Sequence, residues 1–181
     1  MLRHLPNFIC LVRIALIWPT IVALYAGEYW TALGFVAVCA ISDGLDGWLA
    51  KRFNWTSHLG KLLDPLADKL LLVSLFLAAT WINLLPWWLT AVVVARDVMI
   101  GAGAVIYRLW FGPLHGRPTL LSKINTGFQL AVALAAILGA AAGFPTREMV
   151  TALAIVTLLT TIASGADYLG AFTRRALATG T

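Results

Sequence analysis

Apolar residues run along this chain in long blocks separated by short polar stretches, not in the strict alternation of half-buried strands. Six blocks approach or exceed the roughly 20 helical residues needed to cross about 30 Å of hydrocarbon. They are Phe8–Ala26, Trp30–Leu49, Leu63–Ile82, Trp87–Phe111, Leu121–Ala142 and Val150–Phe172. Only helices suit them, because backbone polar groups in lipid must be paired within the segment. The runs are also too long and unbroken for barrel strands. The pattern predicts an all-α integral membrane protein with six transmembrane helices, residues 1–181 forming a single domain with no internal repeat.

Composition agrees with the pattern. Of 181 residues, 61% are hydrophobic and 12% charged, against about half and about a quarter in a soluble domain. The net charge of +5 raises nucleic acid as a partner. The cations, however, form no stripe interleaved with aromatics; they sit between apolar blocks, where lipid headgroups and topology account for them. No nucleic-acid partner is expected.

With six spans, one side of the membrane carries Arg3, Lys51, Arg52, Lys61, Arg108, Arg117, Lys123, Arg174 and Arg175, and the other carries only Arg147. The positive-inside rule then puts both termini in the cytoplasm. Trp30, Trp81, Trp87 and Trp88 fall near the far interface, and Trp48, Trp55 and Trp110 near the cytoplasmic one. The N-terminus loosely fits a signal peptide, but Arg13 and Pro19 interrupt its apolar region, so it reads as a retained first helix. No long targeting extension is visible, which favours a bacterial inner membrane.

Several motifs change little. Cys10 and Cys39 fall inside apolar blocks and read as small core residues. There is no P-loop, no zincin motif and no Cys/His metal spacing. Gly139 and Gly143 make a GxxxG match, which serves either a helix dimer or ordinary packing.

The exception to this bland polarity is Ser42 to Leu70, which holds Asp43, Asp46, Asp64 and Asp68, half of the eight acidic residues. The spacings of three and four put each pair on one helical face. A connection of about a dozen residues lets the two helices lie antiparallel with the pairs facing each other. An ionised Asp inside a membrane helix costs about 2.5–3.5 kcal/mol, and converging carboxylates repel as well. Lys51, Arg52, Lys61 and Lys69 could neutralise them in an interfacial salt-bridge network. A site for hard divalent cations answers the concentration of charge better, since oxygen ligands suit Mg²⁺ or Mn²⁺ and two ions match four carboxylates. Gly44, Gly47 and Gly60 lie beside the acids, where they would let backbone approach a phosphate or nucleotide closely. Pro65 fits the first turn of the third helix. Metal, cations and glycine clearance together suggest pyrophosphate chemistry at the cytoplasmic face.

These residues resemble the CDP-alcohol phosphotransferase signature, D-x2-D-G-x2-A-R-x8-G-x3-D-x3-D. Asp43, Asp46, Gly47, Ala50, Lys51, Gly60, Asp64 and Asp68 keep every spacing, with Lys51 where the family has Arg. Lysine brings a point charge in place of a bidentate fork. The resemblance implies six transmembrane helices, usually a homodimer, and a site open to the cytoplasmic leaflet. It implies that a hydroxyl attacks the lipid-side phosphate of a CDP-alcohol and CMP leaves. By the same resemblance Asp43, Asp46, Asp64 and Asp68 hold two Mg²⁺ or Mn²⁺ ions, and Asp68 is also the general base. Gly47, Ala50, Lys51 and Gly60 then border the nucleotide.

The stretch "LPNFICLVRI" is similar to a Pro-Asn…Arg segment of the family's phosphatidylglycerophosphate and cardiolipin branches, so Asn7 and Arg13 reach the nucleotide or shape the site. For Arg13 a helix–helix pair or snorkelling is an equal reading. "ARDVMIGAGAVIYR" and "RPTLLSKINTGFQ" look most like the eukaryotic-type cardiolipin synthases. The implied substrates are CDP-diacylglycerol with phosphatidylglycerol, or alternatively glycerol 3-phosphate. Either acceptor carries a phosphate, for which Arg96, Arg108, Arg117 and Lys123 are the available cations. Arg96 and Asp97 could instead pair with neighbours, while Arg108 and Arg117 also serve topology. Lys123, with Ser122 and Asn125 in an apolar helix, is the favoured contact. His58 and His115 read as solvated loop residues.

Two readings from other classes remain. A divalent-cation transporter would place its acids near the midplane, with interrupted helices in related repeats; neither is visible. A catalytically silent scaffold would be expected to have lost some of the four acids, all of which are present, while Lys51 in place of the family's Arg leaves that reading open.

Overall fold

The structure is a computed structural model in which the described backbone covers residues 5–53, 60–111 and 119–179, with side chains described for 10–42, 66–106 and 119–170. Among the described residues there are six helices and no strand: α1 (Leu5–Tyr25), α2 (Tyr29–Phe53), α3 (Gly60–Trp81), α4 (Trp87–Phe111), α5 (Leu120–Ala142) and α6 (Arg147–Thr179). Each apolar block of the sequence falls on one of them. Within the described side chains, Trp87–Ile106, Leu120–Ala142 and Arg147–Gly170 are long and apolar enough to cross a membrane, while Cys10–Tyr25 and Tyr29–Ser42 are shorter apolar helices.

The chain divides into two compact units, Met1–Leu84 with Ala133–Thr146, and Leu85–Val132 with Arg147–Thr181. In the first, α1 packs along both α2 and α3. Its core joins Leu24, Val36, Leu75 and Ile137, with Ala23, Ala32 and Ala78 keeping the backbones close. Cutting Leu75 or Leu24 to Ala would cost about 2–5 kcal/mol, the usual penalty for a cavity in a packed core. Cys10 and Cys39 are buried and unbridged, as their apolar settings predict.

Helix ends follow local chemistry. Past α1, Gly27 takes φ +74°, and the Glu28 and Gly27 N–H groups donate to the Ala23 and Leu24 carbonyls at 2.9 and 3.2 Å. This is a Schellman stop, which the missing Cβ makes cheap. Asn83, at φ 59°, ends α3 in the same way, with the Leu84 N–H on the Ala79 carbonyl at 2.8 Å. Gly143, at φ +75°, follows α5.

One glycine of the GxxxG match, Gly139, is used within the chain. A Cβ built on Gly139 would lie 2.5 Å from the Pro145 carbonyl oxygen. Gly139 therefore admits the turn that folds back over the end of α5, and Gly143 lies beyond the helix. Of the two uses open to this motif, the clearance at Gly139 fits ordinary packing within the chain.

In the second unit, α4 packs on α6, and a polar seam joins both to α5. The Arg96 guanidinium donates to Asp97 Oδ1 at 2.8 Å, Ser122 Oγ at 2.7 Å and Ser164 Oγ at 2.6 Å. It also lies 5.7 Å from the Tyr168 ring centroid. One turn along, the Thr160 and Thr161 hydroxyls donate to Asn125 Oδ1 at 3.0 and 2.8 Å. Polar groups face inward here, whereas Val98, Leu159, Ile162 and Leu169 face outward. This is the distribution expected where lipid, not water, surrounds the helices.

Candidate active site

The signature spans the last three turns of α2 and the first turns of α3. Asp43 and Asp46, expected at the end of α2, are ten and seven residues before its last residue, Phe53. At 1.5 Å per residue the acids sit about 15 and about 10 Å inside that end. Asp68 likewise lies eight residues into α3, which begins at Gly60, five residues ahead of Pro65. The expected first-turn position for Pro65 is therefore corrected. The reason is common to both helices: Lys51, Arg52 and Lys61 end the apolar windows, yet lysine and arginine are good helix formers and continue the helices.

Asp68 is the acid whose side chain is described. It is 52% exposed, and its Oδ1 accepts a 2.6 Å hydrogen bond from Arg13 Nη1, whose own side chain is 1% exposed. Arg13 sits on α1 in the first unit, so its pairing with α3 is a helix–helix contact that also reaches the signature. Of the two roles open for Arg13, the structure favours this one. The side chains of Asn7, Asp43, Asp46, Gly47, Ala50, Lys51, Gly60 and Asp64 lie outside the described residues, although α1, α2 and α3 carry their backbones. Among the described residues no three metal-capable side chains converge. The donor set itself, four carboxylates on two helices, has the oxygen-only chemistry of a hard divalent cation site.

The acceptor candidates separate. Arg96 is only 6% exposed and committed to Asp97 and two serines, so it is not available to an acceptor phosphate. Lys123 is exposed on α5. Beside it Leu120 and Ile124 are exposed, and Gly127 opens onto free space. Arg108 is on α4 with its side chain outside the described residues, as are Arg117, His58 and His115 altogether.

The sequence reading missed Gln129, Thr157, Thr161 and Ser164, all buried. The spacing of Thr157, Thr161 and Ser164, four and then three residues apart in an otherwise apolar helix, was the available signal.

Residues 3–163 match the sequence model of the family described as CDP-alcohol phosphatidyltransferase. The chain belongs to this family. Among CDP-alcohol phosphatidyltransferase relatives, a Homo sapiens protein named "Cardiolipin synthase (CMP-forming)" is 32% identical over 180 residues, covering 91% of this chain and 60% of that protein. Two others carry the name "CDP-diacylglycerol--glycerol-3-phosphate 3-phosphatidyltransferase". The one from Oryza sativa subsp. japonica, with the suffix "1, chloroplastic", is 35% identical over 184 residues, covering 91% of this chain and 56% of its own length. The one from Pectobacterium atrosepticum is 34% identical over 147 residues, with 75% and 76% covered. The chain thus spans less than two thirds of the human and rice proteins. These three relatives, under two different names, lie within three percentage points of one another in identity to this chain.

Proposed function

We propose that this chain is a metal-dependent phosphatidyltransferase that moves a phosphatidyl group from CDP-diacylglycerol to phosphatidylglycerol, giving cardiolipin and CMP. The observation that carries the reaction is the eight-position signature, intact in spacing, in a chain that belongs to the family. Asp68, half exposed and anchored, takes the proton from the acceptor hydroxyl. That oxygen forms a new bond to the lipid-side phosphorus, and the bond from phosphorus to the bridging oxygen of CMP breaks. Two Mg²⁺ or Mn²⁺ ions held by Asp43, Asp46, Asp64 and Asp68 would offset charge on the pyrophosphate and the leaving group. Gly47, Ala50 and Gly60 leave room for the nucleotide, with Lys51 and Asn7 as polar contacts to it.

The acceptor assignment rests on the surroundings of Lys123. An exposed cation flanked by exposed Leu120 and Ile124 suits a phosphate attached to an apolar body. Arg108 and Arg117 would supply further positive charge from α4 and the α4–α5 connection. The second reading, transfer to glycerol 3-phosphate, is supported by the Pectobacterium relative, of which the chain covers three quarters. Purified protein given CDP-diacylglycerol with each acceptor in turn tests both. Cardiolipin from phosphatidylglycerol supports the first reading, and product from glycerol 3-phosphate alone moves the chain to the second.

All six helices would cross a bacterial inner membrane as a single domain, with both termini and the acids at the cytoplasmic face. The family resemblance also implies a homodimer.

A further inference from the structure

We infer that Arg13 is a positioning residue for Asp68: a buried guanidinium on α1 that holds the proposed base of α3 in one orientation while leaving the carboxylate accessible. The inference rests on the transfer reading above. It comes from an asymmetry in the pair. A guanidinium that binds a nucleotide presents its donors to the incoming phosphate, but Arg13 is 1% exposed. An ionisable residue in a membrane helix faces either the bundle interior or a water-filled cavity, and Asp68, 52% exposed, fits the second.

The cation is enclosed and the acid is half exposed. Arg13 Nη1 meets Oδ1 at 2.6 Å, a short, charge-assisted contact that restricts rotation about the Asp68 side-chain bonds. Because α1 packs on α2 as well as α3, its guanidinium is set by the packing of the unit that carries the signature. A carboxylate displaced by about 1 Å from its productive position can lose on the order of 100-fold in rate. Arg13 therefore acts on turnover through Asp68.

The test uses the full-length protein in detergent with Arg13→Gln, Arg13→Lys, Asp68→Asn and the Arg13→Gln/Asp68→Asn double variant. Equilibrium binding of CDP-diacylglycerol is measured alongside kcat, KM for the acceptor and thermal stability. The expected result is a fall in kcat on the order of 100-fold in Arg13→Gln, with affinity for CDP-diacylglycerol unchanged. Arg13→Lys should recover part of the rate, and the double variant should be no slower than Asp68→Asn alone. Lost affinity for CDP-diacylglycerol with kcat retained at saturation would overturn the inference in favour of a nucleotide contact. A double variant slower than Asp68→Asn by the full Arg13→Gln factor would overturn it too. So would a lowered melting temperature with full kcat in the folded fraction. If Arg13→Gln does not fold, Arg13→Lys bears the test alone: reduced kcat at unchanged donor affinity is expected, and full kcat overturns the inference. Wild-type protein that releases no CMP with either acceptor removes the transfer reading and this inference together. An active wild type with full activity in Arg13→Gln removes this inference only.

Discussion

Asp68 joins a sequence signature to an observed contact, and its neighbour Arg13 is 55 positions away in the chain. Replacing the carboxylate by an amide keeps the shape and removes the base. Asp68→Asn should lower CMP release by at least about 100- to 10,000-fold, the range of general-base catalysis, with the protein still monodisperse in detergent. Full activity in that variant would take Asp68 out of the role. The carboxylate was legible in the sequence because Asp64 and Asp68 share a helical face. Its pairing was not, because whether Arg13 faces α3 depends on how α1 is turned about its axis, which a uniformly apolar helix does not encode. Gly139 teaches a similar lesson. A GxxxG match does not say what approaches it, and here it is the Pro145 carbonyl oxygen. Gly139→Ala should lower the melting temperature and leave the oligomeric state as it was, which thermal unfolding and light scattering would check.

Among the elements, α4, α5 and α6 are joined by one buried guanidinium. Replacing Arg96 by Met removes its bonds to Ser122 and Ser164 and takes a cation away from Asp97. Deleting one member of a buried ion pair typically costs about 3–5 kcal/mol. Arg96→Met should therefore unfold at a clearly lower temperature, and adding Asp97→Asn should restore part of the loss. A double variant less stable than Arg96→Met would argue against that electrostatic account. Lys123 makes the contrasting case on α5. Lys123→Gln should raise KM for the phosphate-bearing acceptor while leaving affinity for CDP-diacylglycerol alone. All six helices were readable from hydropathy, since each block is long and unbroken. Their ends were not: α2 runs four residues past Leu49, and α6 continues beyond Phe172 to Thr179. Charged residues close an apolar window without ending a helix, so the acids lie deeper within their helices than the pattern implied.

For the whole molecule, the proposed topology puts the carboxylates at the cytoplasmic face. A cysteine replacing Arg147 should react with an impermeant maleimide from outside a sealed cell, and one replacing Arg174 only after permeabilisation. Cys10 and Cys39 are buried and should give little background. The reversed labelling pattern would invert the topology. Fold class and reaction family were legible because one signature and six apolar blocks carry them. The acceptor was less so, because it depends on which surfaces surround Lys123, and neighbouring surfaces come from distant parts of the chain.

The most direct test of the central claim is CMP release by the purified protein from CDP-diacylglycerol and phosphatidylglycerol, with Mg²⁺ or Mn²⁺ present and then chelated. The account predicts release together with cardiolipin, lost on chelation and restored by adding the metal back. No release with phosphatidylglycerol or with glycerol 3-phosphate, from folded protein with metal present, would contradict it.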